Sequence, residues 1–442
     1  MRFFHAAASV LTLALAAQSV AAEDAATRKA IEVEYDTYLA PLFLDFHQNP
    51  EMGFLENRTA AKMAAELRAA GLEVTTGVGK TGVVGILKNG DGPLILLRAD
   101  MDGLPVEEKT GLAYASKAKQ IGEDGKEYPT MHACGHDTHI TSMVGTVRRL
   151  AAMKDKWSGT LMFVVQPAEE GVRGAKAMME DGLYQRFGKP DYALAFHVAA
   201  ELETGKVSAS EGIQYASSDS LDIRVPGIGT HGAAPHLGRD PVYIASQIVT
   251  ALQSIDSREI GPLTPVVVTV GSFHAGSKHN IISDEAMLQV TVRANDEETR
   301  EQVIATISRI AVNIGKAHGL PDNLPVEVKR LSGTPTTNND PALARRLNAV
   351  MQRELGADAV VPFQQKNMGA EDFTYFVAAD TGVPGYYFAV GGTTPERIAA
   401  AKAGGPPIAG HHSPLFQIAP RESIVLGTRA MVAAVLDLAP AK

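Results

Sequence analysis

Between about residues 217 and 330 the apolar pattern reads strand, helix, strand, strand, helix, strand, and it interrupts a chain that otherwise alternates strands with helices. Ser220-Leu-Asp-Ile-Arg-Val225 alternates as a strand, and Pro241 to Ile255 is predicted as a helix with Asp240 as its cap. Pro265–Val270 and Ala286–Arg293 follow as strands, Glu297–Ala317 as an amphipathic helix ending at Gly319, and Pro325–Arg330 as a last strand. That order is the split-βαβ, ferredoxin-like sandwich. A segment of about 110 residues is long enough to fold alone, so it reads as a domain inserted into a larger one.

The flanks carry a different pattern. Ala25–Asn49 and Asn57–Ala70 are predicted helices, the first disturbed by Pro41 and the second closed by Gly71. Gly82–Leu87 and Pro93–Arg98 are strands separated by the turn Asn89-Gly-Asp-Gly92. Thr138–Met153 is a helix opened by Asp137, and Gly159–Val165 is a buried strand. The fold class is therefore α/β in two domains: a central mixed sheet flanked by helices, built from residues 23–216 and 331–442, and the insertion at 217–330. At 442 residues the chain exceeds what one core ordinarily serves.

The first 22 residues read as a signal peptide, with Met1-Arg2 as the charged start and Ala6–Ala17 as the apolar stretch. Val20-Ala21-Ala22 is the cleavage pattern, so an exported, periplasmic or secreted protein is expected. No later apolar run approaches the roughly 20 residues of a spanning helix, so no membrane association is expected after signal removal. The net charge of −9 argues against nucleic acid. The one cysteine, Cys134, can form no internal disulfide, which leaves it buried, free or bound to metal.

That cysteine stands in Thr130-Met-His-Ala-Cys-Gly-His-Asp-Thr-His139, two positions before His136. On an extended segment a thiol and an imidazole at i and i+2 point to the same side. An isolated C-x-H is usually structural, but here Gly135 permits a tight backbone and Asp137 can hold an imidazole's second nitrogen. Gln166-Pro-Ala-Glu-Glu170 places two adjacent carboxylates just after an apolar strand, so that one can bind metal while the other stands over a bound water. His197 lies in an apolar strand read as ending at the same sheet edge. Thiolate, imidazole and carboxylate are the ligands of zinc and its first-row neighbours. Spacing alone thus supports a metal-dependent hydrolase.

A fuller set of motifs names a family. Arg98-Ala-Asp-Met-Asp-Gly-Leu-Pro105, Met131-His-Ala-Cys-Gly-His-Asp137, Gln166–Glu170, His231-Gly-Ala-Ala-Pro-His236, Met368-Gly-Ala-Glu-Asp-Phe373 and His412-Ser-Pro414 resemble the M20 metallopeptidases. The nearest branch is the amidohydrolases that cleave hippurate and indole-acetyl amino-acid conjugates. The resemblance implies a zinc-peptidase-like catalytic domain and two divalent ions per subunit (Mn, Zn, Co or Ni), held by Cys134, His136, Glu170, His197 and His412. It implies Glu169 as the general base that takes a proton from the attacking water and hands it to the leaving nitrogen. Asp102 is implied to orient the site.

The insertion then corresponds to a lid and dimerisation domain, in a homodimer or homotetramer. His231 would steady the oxyanion in a neighbouring subunit, and Asn280 with Arg293 would grip the substrate carboxylate. Two departures fall in the lid: Gly229-Thr230 replaces the usual Gly-Gly, and Asn280-Ile-Ile-Ser283 replaces Asn-x-Ile-Pro. His411 competes with His412, which is preferred because it directly precedes Ser-Pro. The remaining histidines, among them His47, His132 and His139, are read as structural or supporting.

The expected reaction is hydrolysis of a small N-acyl amino acid to a carboxylic acid and an amino acid. The alternatives are a dipeptidase or carboxypeptidase of the same family and, less favoured, a metal-binding protein without turnover or a thiol hydrolase with Cys134 as nucleophile.

Overall fold

The structure, a computed structural model, describes residues 25–442; the signal-peptide segment, residues 1–22, lies outside the described residues. The chain divides into two compact units. One takes the chain up to Gly212 with Asn339–Phe363 and Thr381–Lys442, and the other takes Ile213–Asn338 with Gln364–Asp380.

Among the described residues, the first unit is built on an eight-stranded mixed sheet. Its order is Glu73–Val78, Gly82–Asn89, Gly159–Gln166, Leu94–Asp100, Tyr192–Glu203, Gly385–Thr393, Val207–Ser208 and Val360–Val361. The strands on either side of the Asn89–Gly92 turn do not pair with each other. Gly159–Gln166 inserts between them, antiparallel to the first and parallel to the second. The central strands are nearly continuous apolar runs, as strands covered on both faces must be. Alternate side chains divide between those faces. Ile95, Leu97, Leu161, Phe163, Leu194 and Phe196 join the main core with the helices Ala40–Gln48, Asn57–Ala69, His136–Ala152 and Pro420–Leu438.

Pro41 does not end the first helix. The chain widens into a π-helical turn, Tyr35–Leu39, just before it, which accommodates a residue with no N–H to donate. Gly71 closes Asn57–Ala69 in the left-handed region at φ +88°, its N–H on the Arg68 carbonyl. No helix among the described residues is long and apolar enough to cross a membrane.

The second unit holds a four-stranded antiparallel sheet in the order Val266–Ala275, Glu285–Ala294, Ser218–Pro226 and Glu327–Thr334. The helices Pro241–Leu252 and Glu297–Ala317 cover one face through Ile244, Ile248, Val303 and Ile307 against Leu221, Ile223, Leu288 and Val290. Asp240 and Asp296 cap the two helices, accepting from Val242 and Thr299 N–H. Residues 364–380, assigned from sequence to the larger domain, belong here, as do 213–216 and 331–338. Hydrogen bonding is the reason: Ala216 N–H donates to the Gly369 carbonyl, Thr374 Oγ1 to that of Thr336, and Tyr375 Oη to that of Gly333.

Candidate metal centre

Cys134 and His136 do share a direction, but not because the segment is extended. Gly135 N–H turns back onto the His132 carbonyl at 3.2 Å, and Gly135 itself is left-handed at φ +86°. The helix then starts at His136, two residues earlier than the sequence suggested. A Cβ on Gly135 would stand 2.4 Å from Val198 Cγ1, so both the conformation and the contact require glycine here.

The paired carboxylates follow Gln166, where the strand ends beside Asp100 of its parallel neighbour. Ala168 and Val172 flank them at φ +47° and +52°, conformations disfavoured for residues with a Cβ. Glu169 is buried, and Glu170 accepts no hydrogen bond at Oε1. Asp102 ties the pieces together. Its carbonyl lies 2.8 Å and its Oδ1 3.2 Å from His136 Nδ1, while its Oδ2 accepts the Glu170 N–H at 3.0 Å.

His197 is not at a strand end, since its strand runs on to Glu203. It opens onto the site because pairing with Leu94–Asp100 stops at Arg98–Ala195. Val198 N–H then finds His139 Nε2 at 2.9 Å instead of a neighbouring strand.

Backbone carbonyls decide the tautomers. A carbonyl only accepts, so His136 Nδ1 carries a proton toward Asp102 and His197 Nδ1 carries one toward the Val198 carbonyl at 2.7 Å. Both Nε2 atoms are thereby free to ligate. His197 Nε2 lies 3.3 Å from Cys134 Sγ, close to the ~3.5 Å expected across a tetrahedral zinc site from ordinary bond lengths. His136 Nε2 and Glu170 Oε1 face each other at 3.9 Å, both buried and both without a hydrogen-bond partner. That gap is about twice an ordinary metal–ligand distance of ~2 Å. Glu169 Oε2 is also 3.9 Å from His136 Nε2, and His412 Nε2 is 3.1 Å from Glu170 Oε2. His412 is held at φ +66°. His411, the competitor, accepts the Ala200 N–H at Nε2 and so turns an Nδ1–H toward Cys134 Sγ, 3.7 Å away.

The electrostatics ask for a cation. Burial and the carboxylates of Glu170, Glu169 and Asp100 push the Cys134 thiol well above its usual range. Burial works against a charged His136, but Asp100, Asp102 and Glu170 outweigh it and hold that imidazole at about 10. Burial and the neighbouring His139 and His411 push His197 far down, to the neutral form a ligand needs. The donor set, the orphaned pair and the surplus of carboxylate all fit divalent metal.

One supporting residue, Asp100, escaped the sequence reading, and its partner is His139, which the sequence reading placed among the structural or supporting histidines. Asp100 Oδ1 lies 2.5 Å from His139 Nδ1 and its Oδ2 accepts from Arg98 at 2.6 Å, with both carboxylate and imidazole buried. Arg98, Asp100 and Asp102 alternate on one strand, and His136 and His139 are i, i+3 on one helix; that spacing was the available signal. A cleft of about 340 Å³ opens beside Asp102 and Glu170, lined also by Met52, Leu55, Leu104 and Tyr128.

His231, Asn280 and Arg293 lie in the second unit. His231 is exposed on the short strand Thr230–His231, opposite Ile281, and Gly232 N–H bonds the Asn280 carbonyl at 2.8 Å, which brings His231 and Asn280 together. Ala233 N–H donates to His231 Nδ1, so the ring's remaining nitrogen carries its proton outward. Arg293 stands opposite Val267 on Glu285–Ala294. Asn280 Oδ1 and Arg293 Nη1 are buried atoms without a partner.

An α/β sheet with thiol, imidazole and carboxylate donors gathered beside it in overlapping clusters defines a metal-dependent hydrolase. The chain belongs to Peptidase family M20/M25/M40, whose sequence model matches residues 96–403. It is 41% identical over 333 residues to the hippurate hydrolase of Campylobacter jejuni, covering 75% of this chain and 82% of that one. It is 36% identical over 363 residues to thermostable carboxypeptidase 2 of Saccharolobus solfataricus, covering 81% and 86%. The crystal structure of YxeP from Bacillus subtilis, a dinuclear metal-binding peptidase of the M20 family, superposes with a TM-score of 0.74 at 28% identity, covering 92% of this chain and 98% of that one.

Proposed function

We propose that the protein hydrolyses the amide bond of N-acyl amino acids, with two divalent ions per subunit held by Cys134, His136, Glu170, His197 and His412. The observation that carries this reading is the facing pair His136 Nε2 and Glu170 Oε1, buried and unpartnered beside a thiol. Bound there, the ions supply Lewis acidity toward the scissile carbonyl and a nucleophile at neutral pH. Glu169 takes the proton of the attacking water and returns it to the leaving nitrogen. Asp102 and Asp100 keep His136 and His139 in their tautomers. The cleft beside Glu170 is sized for an acyl group, and Asn280 and Arg293 take the substrate carboxylate.

The similarity to a hippurate hydrolase supports an N-acyl amino acid, and the carboxypeptidase relative supports a second reading, cleavage of short peptides. A panel of N-acetyl, N-benzoyl and indole-acetyl amino acids, run beside dipeptides on metal-reconstituted protein, separates the two. We expect free amino acid chiefly from the N-acyl compounds; release from dipeptides alone sinks the first reading. Export is part of the proposal, and a mature N-terminus at Glu23 is its check.

His231 acts as hydrogen-bond donor to the oxyanion of a partner subunit in a dimer. Its exposure and its outward N–H support this. His231→Ala is expected to lose about 10²–10³-fold in kcat, the usual cost of one oxyanion donor, with metal content unchanged. Mixing it with a Glu169→Gln subunit should restore activity through the mixed dimer. Unrestored mixtures would place the histidine's work within its own chain.

A further inference from the structure

We propose that Glu56 is a positioning residue for the general base, holding the backbone on one side of Glu169 while Asp102 holds the other. The inference rests on the reading of Glu169 as that base. Glu56 precedes the helix Asn57–Ala69, where an acid ordinarily accepts from the first N–H groups of its own helix. It makes no such cap. Glu51 has taken that task, its two oxygens accepting from Arg58 N–H at 3.0 Å and Thr59 N–H at 2.7 Å.

The Glu56 carboxylate turns inward instead and is wholly buried. Oε1 accepts the Ala168 N–H at 2.8 Å, and Oε2 accepts the Thr81 hydroxyl at 2.6 Å. Among the described residues it has no ion-pair partner. Burying a carboxylate without a cation is unfavourable, so stability alone gives no reason for an acid here.

The bond it makes lands where the backbone is strained. Ala168 sits at φ +47°, immediately before Glu169, and its carbonyl accepts from both Arg173 and Gly174 N–H at 3.2 Å. The Asp102 carboxylate accepts the N–H of Glu170, immediately after. Two acids from separate segments therefore hold the backbone N–H groups of the two residues that flank the base, Ala168 and Glu170. The segment carrying Glu56 also presses on this loop, since a Cβ on Gly53 would meet Ala168 Cα at 2.9 Å. Glu56 lies outside residues 96–403, so the family match does not reach it.

The test compares Glu56→Gln with Glu56→Leu on metal-loaded protein. A glutamine still accepts from Ala168 N–H and donates its amide to the Thr81 oxygen, so its kcat should stay within about fivefold of wild type. Leucine fills the space but leaves Ala168 N–H unpaired. Its kcat per bound metal should fall about 10²-fold, as a misplacement of about 1 Å costs, with KM and metal content nearly unchanged. In a Glu169→Gln background the leucine change should add less than threefold, because the clamp acts only through the base.

Should Glu56→Leu not fold, Thr81→Val takes its place, with a kcat-only loss of about 3–10-fold. Wild-type turnover per bound metal in Glu56→Leu or, where Thr81→Val stands in, in that variant overturns the proposal. So does an equal loss in Glu56→Gln, or a loss that follows metal content. Substantial turnover by Glu169→Gln itself would instead remove the base assignment, a failure distinguishable from that of the clamp.

Discussion

Glu169→Gln is expected to keep its metal and lose about 10⁴-fold in kcat, the upper end of what one general acid–base group contributes. The upper end applies because, in the proposed mechanism, the same carboxylate serves twice, first accepting a proton from water and then delivering it to nitrogen. Glutamine has nearly the same shape, and Glu169 is almost fully buried in a loop held by its backbone, so the fold around it should not change. Its Oε2 stands 3.9 Å from His136 Nε2, in reach of the ligand cluster. An amide there cannot take the proton. KM should move little, since binding that is equal in ground and transition states is untouched. Metal analysis alongside the kinetics makes the result decisive. Glu170→Gln is the contrast, because that change weakens a proposed ligand whose Oε1 faces His136 and whose Oε2 faces His412, and metal should be lost with activity. A Glu169→Gln enzyme retaining a tenth of wild-type turnover would end its role as base.

The parts of this site legible in the sequence are those carried by short contiguous motifs. Cys134, Glu169, Glu170 and His412 each stand in such a run, and the structure brings these side chains into overlapping clusters, Cys134 with His136 and His197, Cys134 with Glu170 and His412, and His136 with Glu169 and Glu170. The apolar periodicities likewise locate the four strands of the second unit's main sheet and the two helices that cover it to within about five residues, but not its short strands such as Thr230–His231 and Ile281–Ile282. What escaped depends on partners distant in sequence. The His136 turn looked extended because i, i+2 spacing cannot distinguish a pleat from a left-handed glycine ahead of a helix. Residues 364–380 looked like part of the larger domain because their allegiance is decided by hydrogen bonds to Ala216, Gly333 and Thr336. Asp100 and His139 carry no motif that separates support from ligation, and only the Val198 N–H on His139 Nε2 shows that this imidazole already has both nitrogens engaged. Glu56 stands where an acid ordinarily caps its own helix, and nothing local in the sequence marks its inward turn, because the cap is taken by Glu51 five residues earlier.

Removing the metal should abolish activity, and rebinding should release at least two protons at neutral pH, from Cys134 and His136, with His412, raised by its hydrogen bond to Glu170, adding to that count. The sign follows from the metal-free charges. Cys134 is pushed well above its usual range by burial and by Glu170, Glu169 and Asp100, and His136 is held at about 10 by Asp100, Asp102 and Glu170 against the effect of burial. At pH 7 to 9 both groups therefore hold protons that a bound divalent ion must displace. Each displaced proton makes affinity rise about tenfold per pH unit, so two give about a hundredfold, and the slope should fall as pH passes the His136 value near 10. Titration calorimetry in buffers of different ionisation enthalpy counts the protons directly. A count near zero would mean that these two side chains are not where the ions bind. The same chelated protein distinguishes the thiol alternative, in which Cys134 attacks the substrate unaided. Burial and three carboxylates keep that sulfur protonated without metal, so the metal-free enzyme should be inert, and turnover should return with whichever of Mn, Zn, Co or Ni the site prefers. Activity that survives complete chelation would make Cys134 a nucleophile rather than a ligand.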